Sequence, residues 1–267
     1  MTASSSVVKI TAKTALKGKW LKSAVAGLVL VFCCLIVSFV SSVLQSIAGN
    51  IVYWAFGVAS ALFCIFPLFL GVLRYFWRLL NSADDELSII FYYFSAKELY
   101  FKSLHSSFSI LGRVILFGIV YFIPTYITGL FSDSAVYEFL DIPIPMFMSN
   151  FWLISLILKV LAVVALFFTI SRYYLVPFFI VADEEMDNSE AIHMSSVIFR
   201  ATSSDFIYLI CSFAGWICLS IFIAPLVFTV PYMITSYLIH ARFAVAEYNK
   251  HIENENIRQS EEFFSGL

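Results

Sequence analysis

The sequence has very little charge for its length. Of its 267 residues, 13% are Asp, Glu, Lys or Arg, whereas soluble domains carry roughly 25%. The hydrophobic share is 61% and the mean hydropathy is +0.91. A larger core cannot absorb this excess, because a folded soluble chain still needs a polar surface. The composition therefore excludes an ordinary soluble enzyme, a disordered chain and a coiled coil, and it indicates a multi-pass membrane protein.

The chain also lacks a basic excess and a disulfide framework. Its net charge is −2 and its pI about 6.1, so we expect no nucleic-acid partner. The five cysteines all lie inside apolar runs and their spacing suits no metal site. We expect them to act as small apolar side chains in contacts with lipid or between helices. They are Cys33, Cys34, Cys64, Cys211 and Cys218.

Motifs of the common catalytic sites are absent as well. None of the four histidines belongs to an H-E-x-x-H motif or pairs with a cysteine, and there is no G-x-S-x-G or phosphate-binding glycine loop. The closest candidates for chemistry on lipid phosphates are Arg172 and the acidic run Asp183–Glu185, which the inner end of a transmembrane helix explains. We therefore predict no catalytic residue, no cofactor and no metal site.

Long uncharged runs predict an all-α fold, a polytopic membrane bundle of about six transmembrane helices. A helix needs about 20 mostly apolar residues to cross the hydrocarbon core. The last apolar run is too long for one helix and short for two, and Pro225 near its middle predicts a tight hairpin there. The predicted spans are Ser23–Leu44, Ile51–Leu73, Val114–Phe131, Phe151–Ile170, Phe206–Ala224 and Leu226–Val245. This divides the chain into a basic cytosolic segment (1–22), a transmembrane domain (23–248) and a polar cytosolic tail (249–267).

The distribution of basic residues predicts the orientation. The first 22 residues contain five lysines and no acid, whereas the Ser132–Asn150 loop contains three acids and no base. Because short cytoplasmic loops are enriched in Lys and Arg, both termini are predicted to lie in the cytosol. Arg74 and Arg172 lie at the ends of the second and fourth spans, and Arg242 lies near the end of the sixth; all three are predicted anchors at the inner interface.

A cleaved signal peptide is the alternative interpretation of the N-terminus. The tripeptide Ser46–Ala48 resembles a small-x-small cleavage site. The apolar stretch before it is longer than the usual 7–15 residues of a signal peptide. This length favours an uncleaved membrane anchor.

Two cytosolic segments, Asn81–Arg113 and Asp183–Asp205, are predicted to form amphipathic helices against the membrane. In the second, Asp187 and Glu190 have the spacing of a capping box. The residues that follow at helical spacing on one face are Ala191, Met194, Ser195 and Ile198. The alternative is that both segments merely connect spans, and that their acidic runs are solvated helix starts.

Lys159 is the one ionisable residue well inside a predicted span. One hypothesis places it in a substrate or ion site that faces the interior of the bundle. The alternative is a structural lysine whose stem reaches the outer interface, where Asp133, Glu138 and Asp141 offer partners.

Several short motifs resemble a family of bacterial membrane proteins. Residues 15–20 read A-L-K-G-K-W before the first span, and the second span contains P-L-F-L-G at 67–71. Further similar stretches are F-I-V-A-D at 179–183, S-E-A-I at 189–192, S-F-A-G-W at 212–216 and P-Y at 231–232. The chain thus resembles the nine-seven-five domain of unknown function. The resemblance implies a multi-pass inner-membrane protein and no established catalysis, cofactor or substrate.

The functional expectation is a non-enzymatic membrane protein of unknown molecular activity, with a role in the envelope or in membrane assembly. Its partners would be the lipid bilayer and another membrane protein or a second copy of itself. The alternative is a small transporter or channel with Lys159 lining the pathway. A membrane-embedded enzyme ranks third.

Overall fold

The computed structural model describes residues 5–81, 86–130, 148–219 and 223–265. Within these ranges the chain is almost entirely helical and contains no strand, which confirms the predicted all-α class. The chain divides into two compact units. We call Met1–Ser107 together with Leu175–Leu267 the main unit, and Phe108–Tyr174 the small unit.

Helix α1 (Ser5–Leu16) packs on other helices of the main unit through one apolar stripe. Val8, Ala12 and Leu16, spaced four residues apart, are completely buried, as expected for a helix that faces its neighbours on one side. The turn after α1 contains Gly18 with a φ of 82°, a conformation that glycine adopts without steric cost. Helix α2 (Trp20–Ala48) follows and contains the first predicted span.

Helices α2 and α3 form a hairpin. Gly49, with a φ of 84°, ends α2, and α3 (Asn50–Ser60) continues through a π-helical turn (Ala61–Ile65) into α4 (Phe66–Leu80). The second predicted span lies within this stretch. Pro67 is the second residue after the π turn. Because proline has no backbone N–H to donate, a local change of helical pitch is expected at this point.

The segment after α4 lies so close to it that Gly71 cannot carry a side chain. A 3₁₀ helix (Leu87–Phe91) leads into the short helix α5 (Tyr92–Ser95). A Cβ atom at Gly71 would overlap the carbonyl oxygen of Ile90 and lie 2.7 Å from its carbon. The absence of a side chain at Gly71 therefore permits this backbone contact.

The Asn81–Arg113 segment differs from the single amphipathic helix that we predicted. Its described part holds the 3₁₀ helix and α5, and Ala96 is extended (φ −132°, ψ 138°), which ends α5. Helix α6 (Lys97–Leu130) then begins inside this segment and runs without a break through the third predicted span. Phe131, the last residue of that span, lies outside the described residues.

In the small unit, α6 is followed by α7 (Met148–Ser171), which contains the fourth predicted span. Four side chains of α7 within residues 152–171 are buried, and all are small. Ser155, Ala162 and Thr169 are spaced seven residues apart, and Ser171 is the fourth. Small residues at such spacing allow two membrane helices to approach closely. The Tyr121 hydroxyl of α6 lies 3.0 Å from the Thr169 hydroxyl, so a polar contact joins the two helices.

Helix α8 (Val176–Ala182) returns the chain to the main unit, and α9 (Asn188–Leu219) begins at the predicted position. Asp187 caps α9, because its carboxylate accepts a hydrogen bond from the Ser189 N–H at 3.1 Å. The Ser189 hydroxyl also donates to this carboxylate. This hydrogen bond is the main cause of the lowered pKa of Asp187, and the bond from the Ser189 N–H adds to it. Among the described residues, the Glu190 carboxylate accepts no hydrogen bond from the Asp187 N–H. Only one of the two hydrogen bonds of the predicted capping box is therefore present.

The predicted inward face of α9 is largely confirmed, but the helix is longer than expected. Ala191, Ser195 and Ile198 are buried and Met194 is half-buried. The Ser195 hydroxyl accepts a hydrogen bond from the Leu175 N–H at 3.1 Å. The predicted cytosolic helix is the first part of α9, which continues into the fifth predicted span.

Helix α10 (Ile223–Ser265) pairs with α9 in an antiparallel hairpin. Ring contacts mark the pairing, with Phe206 to His240 at 6.4 Å and Phe213 to Tyr232 at 5.3 Å between centroids. Pro225 lies in the first turn of α10, where its missing N–H costs no hydrogen bond. The prediction that Pro225 forms the hairpin turn is therefore wrong. Residues 220–222, which lie outside the described ranges, connect the two helices.

Within the described residues, five helical segments are long and apolar enough to cross a membrane: Trp20–Ala48, Asn50–Leu80, Lys97–Leu130, Trp152–Ala182 and Asn188–Cys218. They contain most of each of the first five predicted spans, but the predicted end of the fifth, Ala224, lies in α10. The sixth, Leu226–Val245, lies in α10, which is not one of the five, so it stays a prediction.

Replacing Gly71 by alanine is expected to destabilise the protein by about 3 kcal/mol, because the new methyl group would collide with backbone atoms that cannot rotate away. Gly57→Ala is the matched control. A Cβ at Gly57 meets no atom within 4 Å, so this change should stabilise the helix by about 0.5–1 kcal/mol. Thermal unfolding of the detergent-solubilised variants measures both effects. Equal melting temperatures for the two variants would contradict the contact at Ile90.

Candidate functional site

A cluster of polar side chains in the described main unit is built around Arg74. Arg74 lies three residues after Gly71, so the close approach at Gly71 also brings Tyr92 onto its guanidinium group. The guanidinium carbon is 3.7 Å from the centre of the Tyr92 ring, a cation–π contact. The same group donates to the carboxylate of Glu184 in an ion pair. We call Arg74, Tyr92, Tyr93, Lys102, Glu184 and Asn188 the Arg74 cluster.

Glu184, in the connection between α8 and α9, ties several elements together. Its carboxylate accepts hydrogen bonds from the Tyr92 hydroxyl at 3.2 and 3.3 Å, and its backbone carbonyl accepts one from the Lys102 ammonium. The side-chain amide of Asn188 donates to the Lys102 carbonyl at 3.3 Å. One short loop therefore links α4, α5, α6 and α9.

The two tyrosines of the cluster are protonated hydrogen-bond donors at neutral pH. Burial raises the pKa of Tyr93 to about 12, and its hydroxyl donates to the Ile180 carbonyl at 3.4 Å. Burial also raises the pKa of Tyr92. Neutral phenols beside a paired carboxylate supply no base of matched pKa for proton transfer. The arrangement is suited to holding helices together.

Sequence reasoning assigned these residues only in part. Arg74 was predicted as an anchor at the inner interface, and Glu184 as part of a solvated acidic run. The side chain of Arg74 is 15% exposed and pairs with Glu184, whose side chain is 47% exposed. Glu185 is exposed as well but forms no ion pair with Arg74 in the described residues. The sequence alone does not distinguish Glu184 from Glu185. The conformation of the loop places Glu184 beside Arg74.

The other two predicted anchors lie elsewhere. Arg242 on α10 contacts the end of α4, with its guanidinium carbon 4.1 Å from the Trp77 ring and a hydrogen bond to the Asn81 side-chain oxygen. Arg172 is exposed in the turn after α7, in the small unit. Arg74 thus belongs to α4, and Arg242 contacts the end of the same helix. The anchoring role of all three arginines stays a prediction.

Lys159, the candidate intramembrane residue, lines a cavity of about 380 Å³ in the small unit. The other lining residues belong to α6: Phe122, Thr125, Tyr126, Gly129 and Leu130. Lys159 is exposed and makes no hydrogen bond or ion pair with the described residues. Its predicted acidic partners lie in the 131–147 segment, outside the described ranges. The polar groups that share the cavity are those of Thr125 and Tyr126, from one neighbouring helix.

No group of three or more His, Cys, Asp and Glu side chains in the described ranges could hold a metal ion. The described cysteines are free thiols, and Cys33 and Cys64 lie with their sulfur atoms 3.7 Å apart where α2 passes the π-helical turn.

Replacing Glu184 by glutamine tests the Arg74 cluster. The amide cannot neutralise the guanidinium of Arg74, but the Arg74 side chain is 15% exposed and that of Glu184 is 47% exposed, so solvent screens the pair. We therefore expect a loss of about 1 kcal/mol of unfolding free energy. Glu185→Gln makes the same charge change on an exposed neighbour and should stay within about 0.5 kcal/mol. The measurement is thermal unfolding in detergent. If both variants lose the same stability, the ion pair with Arg74 contributes nothing.

Replacing Lys159 by methionine is expected to leave thermal stability unchanged or to raise it. The change removes an ammonium group, which at the bilayer centre costs about 2.5–3.5 kcal/mol on insertion scales. Ile157→Lys, at an exposed position of the same helix, is the control and should lower both membrane insertion and stability. A large drop in melting temperature for Lys159→Met would instead show that the ammonium makes a stabilising contact.

Comparison with known proteins yields one match. No curated protein and no solved structure matches the chain. One family model covers residues 1–244 and carries the description "Protein of unknown function (DUF975)". This agrees with the resemblance found in the short motifs and extends it over most of the sequence. Because the match covers residues 1–244 of 267, the chain belongs to the DUF975 family of proteins of unknown function.

Proposed function

We propose that the protein is a non-enzymatic multi-pass protein of the bacterial plasma membrane, with a role in the envelope or in membrane assembly. It acts through contacts of its apolar helix surfaces with lipids and with another membrane protein or a second copy. The observation that carries the proposal is the extent of exposed apolar side chain on its long helices. Examples are Phe39 (70% exposed) on α2, Leu116 (59%) on α6 and Leu161 (58%) on α7.

Such surfaces are unfavourable in water and favourable in lipid. Exposed apolar patches larger than a few hundred Å² are rare on soluble monomers, and each Å² exposed to water costs about 25 cal/mol. In a bilayer this cost disappears, since lipid chains are as apolar as leucine. The exposed apolar residues follow one another along α2, α6 and α7, as expected for lipid-facing helices.

The contact role is also supported by the way the interior polar groups are used. In the Arg74 cluster, the carboxylate of Glu184 is paired with Arg74 and the Tyr93 hydroxyl is bonded to a backbone carbonyl. These groups connect helices to one another. The surfaces left for interaction are therefore the apolar faces.

A transporter or channel is the second candidate, and the cavity at Lys159 is the observation that favours it. A transport pathway would require polar groups from several helices around one water-filled space. The described lining of this cavity comes from α6 and α7 alone. This supports the contact role over transport.

Cysteine labelling in intact cells tests the placement in the membrane. On a background without the five native cysteines, single cysteines at Asn50 and Ser134 should react with an impermeant maleimide from outside, and one at Ser260 should not. The reason is the excess of Lys and Arg in the segments predicted to be cytosolic. The control is labelling after permeabilisation, when Ser260→Cys should also react.

Two results would contradict the proposal. External labelling of Ser260→Cys without labelling of Ser134→Cys would reject the predicted orientation. Release of the protein from membranes by alkaline carbonate would reject integral insertion, because a helix that spans the bilayer stays in it under these conditions.

A further inference from the structure

The α9–α10 hairpin lies beside the first turns of α2. A Cβ atom at Gly27 of α2 would lie 3.1 Å from a methyl carbon of Val230 and 3.3 Å from the ring of Pro231, both in α10. The rings of Trp20 and Phe228 meet edge to face at 6.1 Å. The early part of α10 is therefore level with the beginning of α2, at the end that we assign to the cytosol.

The length of the helices limits how far the hairpin reaches along α2. Ile223, where α10 begins, precedes Val230 by seven residues, so at the helical rise it lies at most about 10 Å beyond Gly27. Helix α2 continues from Gly27 to Ala48, a further distance of about 30 Å. The described start of α10 thus stops about 20 Å short of the α2–α3 turn.

Burial along α2 changes at the same place. Ser23, Ala24, Ala26 and Gly27 are buried, and beyond them only Ser41 is buried in the rest of α2. The large side chains that follow are exposed, with Phe32 at 65%, Leu35 at 62% and Phe39 at 70%. Helix α10 therefore contacts the beginning of α2, and the large exposed side chains that follow lie beyond this contact.

Two lysines of α1 mark the depth of the hairpin independently. The Lys9 ammonium donates to the Ser212 carbonyl at 2.7 Å and lies 4.6 Å from the centre of the Phe213 ring. The Lys13 ammonium lies 5.8 Å from the centre of the Tyr232 ring. If α9 and α10 crossed the bilayer fully, these charges would be placed toward the hydrocarbon centre, where lysine is strongly unfavourable. A shallow hairpin places them near the headgroups.

We propose that α9 and α10 form a re-entrant hairpin that enters the cytosolic leaflet and returns to the cytosol, with the lipids of that leaflet as its partner. The proposal rests on the proposed function, since it requires that α2 crosses the membrane. Helix α9 is long and apolar enough to cross a membrane. The depth of the hairpin is inferred from the contacts of α9 with α1 and of α10 with α2.

The chemistry of the surface fits one anionic leaflet. The hairpin exposes aromatic and aliphatic side chains, among them Tyr208 (70%), Phe228 (53%) and Ile217 (49%). Beside it lies α1, which belongs to a stretch of 22 residues with five lysines and no acid, and such clusters attract anionic headgroups. A hairpin in one leaflet takes up area on one side only, which makes its binding sensitive to lipid packing in that leaflet.

Spin labels on single cysteines test the depth. The full-length protein, without its native cysteines, is reconstituted in vesicles of phosphatidylethanolamine and phosphatidylglycerol, and labels are placed at Leu226, Phe32 and Val43. The ratio of oxygen to nickel-chelate accessibility reports the depth of each label. We expect the ratio at Leu226 to match that at Phe32 and to exceed that at Val43 several-fold, because Leu226 lies four residues from the level of Gly27.

A full crossing predicts the opposite order. It places Leu226 near the outer interface, so its ratio would match that at Val43, and Leu226→Cys would react with impermeant maleimide from outside. Either result overturns the re-entrant hairpin while leaving the membrane location intact. A label at Phe32 that is open to the nickel chelate would reject the proposed function itself. Unchanged size-exclusion profiles and melting temperatures show that the labelled variants are folded.

Discussion

The contact between the backbone of Gly71 and the carbonyl of Ile90 positions much of the main unit. Because no side chain separates α4 from the 3₁₀ helix, the following turn lies directly on α4. One helical turn after Gly71, Arg74 meets the Tyr92 ring and Glu184. A larger residue at Gly71 would move the 3₁₀ helix outward and separate all of these groups. A single missing Cβ therefore supports a network of four elements.

Two arginines of the main unit, Arg74 and Arg242, have similar surroundings. Arg74 is placed against a tyrosine ring and a carboxylate, and Arg242 against the Trp77 ring and the Asn81 amide. A guanidinium group is planar and weakly hydrated, so it stacks on aromatic rings at low cost. Both contacts involve α4 or the residue that ends it. In a chain with so few charges, these arginines connect helices rather than face solvent.

The small unit is built on a different principle. Its two helices meet through small residues of α7 and one hydroxyl pair, and the large apolar side chains of both point outward. This inverts the pattern of a soluble helical hairpin, in which the large apolar residues are buried. The main unit combines both patterns, since α2 has a buried beginning and an exposed remainder. The division of α2 underlies the inference that α9 and α10 penetrate only part of the bilayer.

The sequence by itself determined the all-α class, the positions of the first five apolar helices and the start of α9. These follow from local rules: uncharged runs of sufficient length, and an acidic cap before a helix. Tertiary structure decided four matters: the division of Asn81–Arg113, the pairing of Glu184 rather than Glu185, the place of Pro225 and the contact of α10 with the beginning of α2. Hydropathy counts residues along one helix and holds no information about which helices touch. Only the contacts at Gly27, Gly71 and Lys9 show how far each helix extends beside its neighbours.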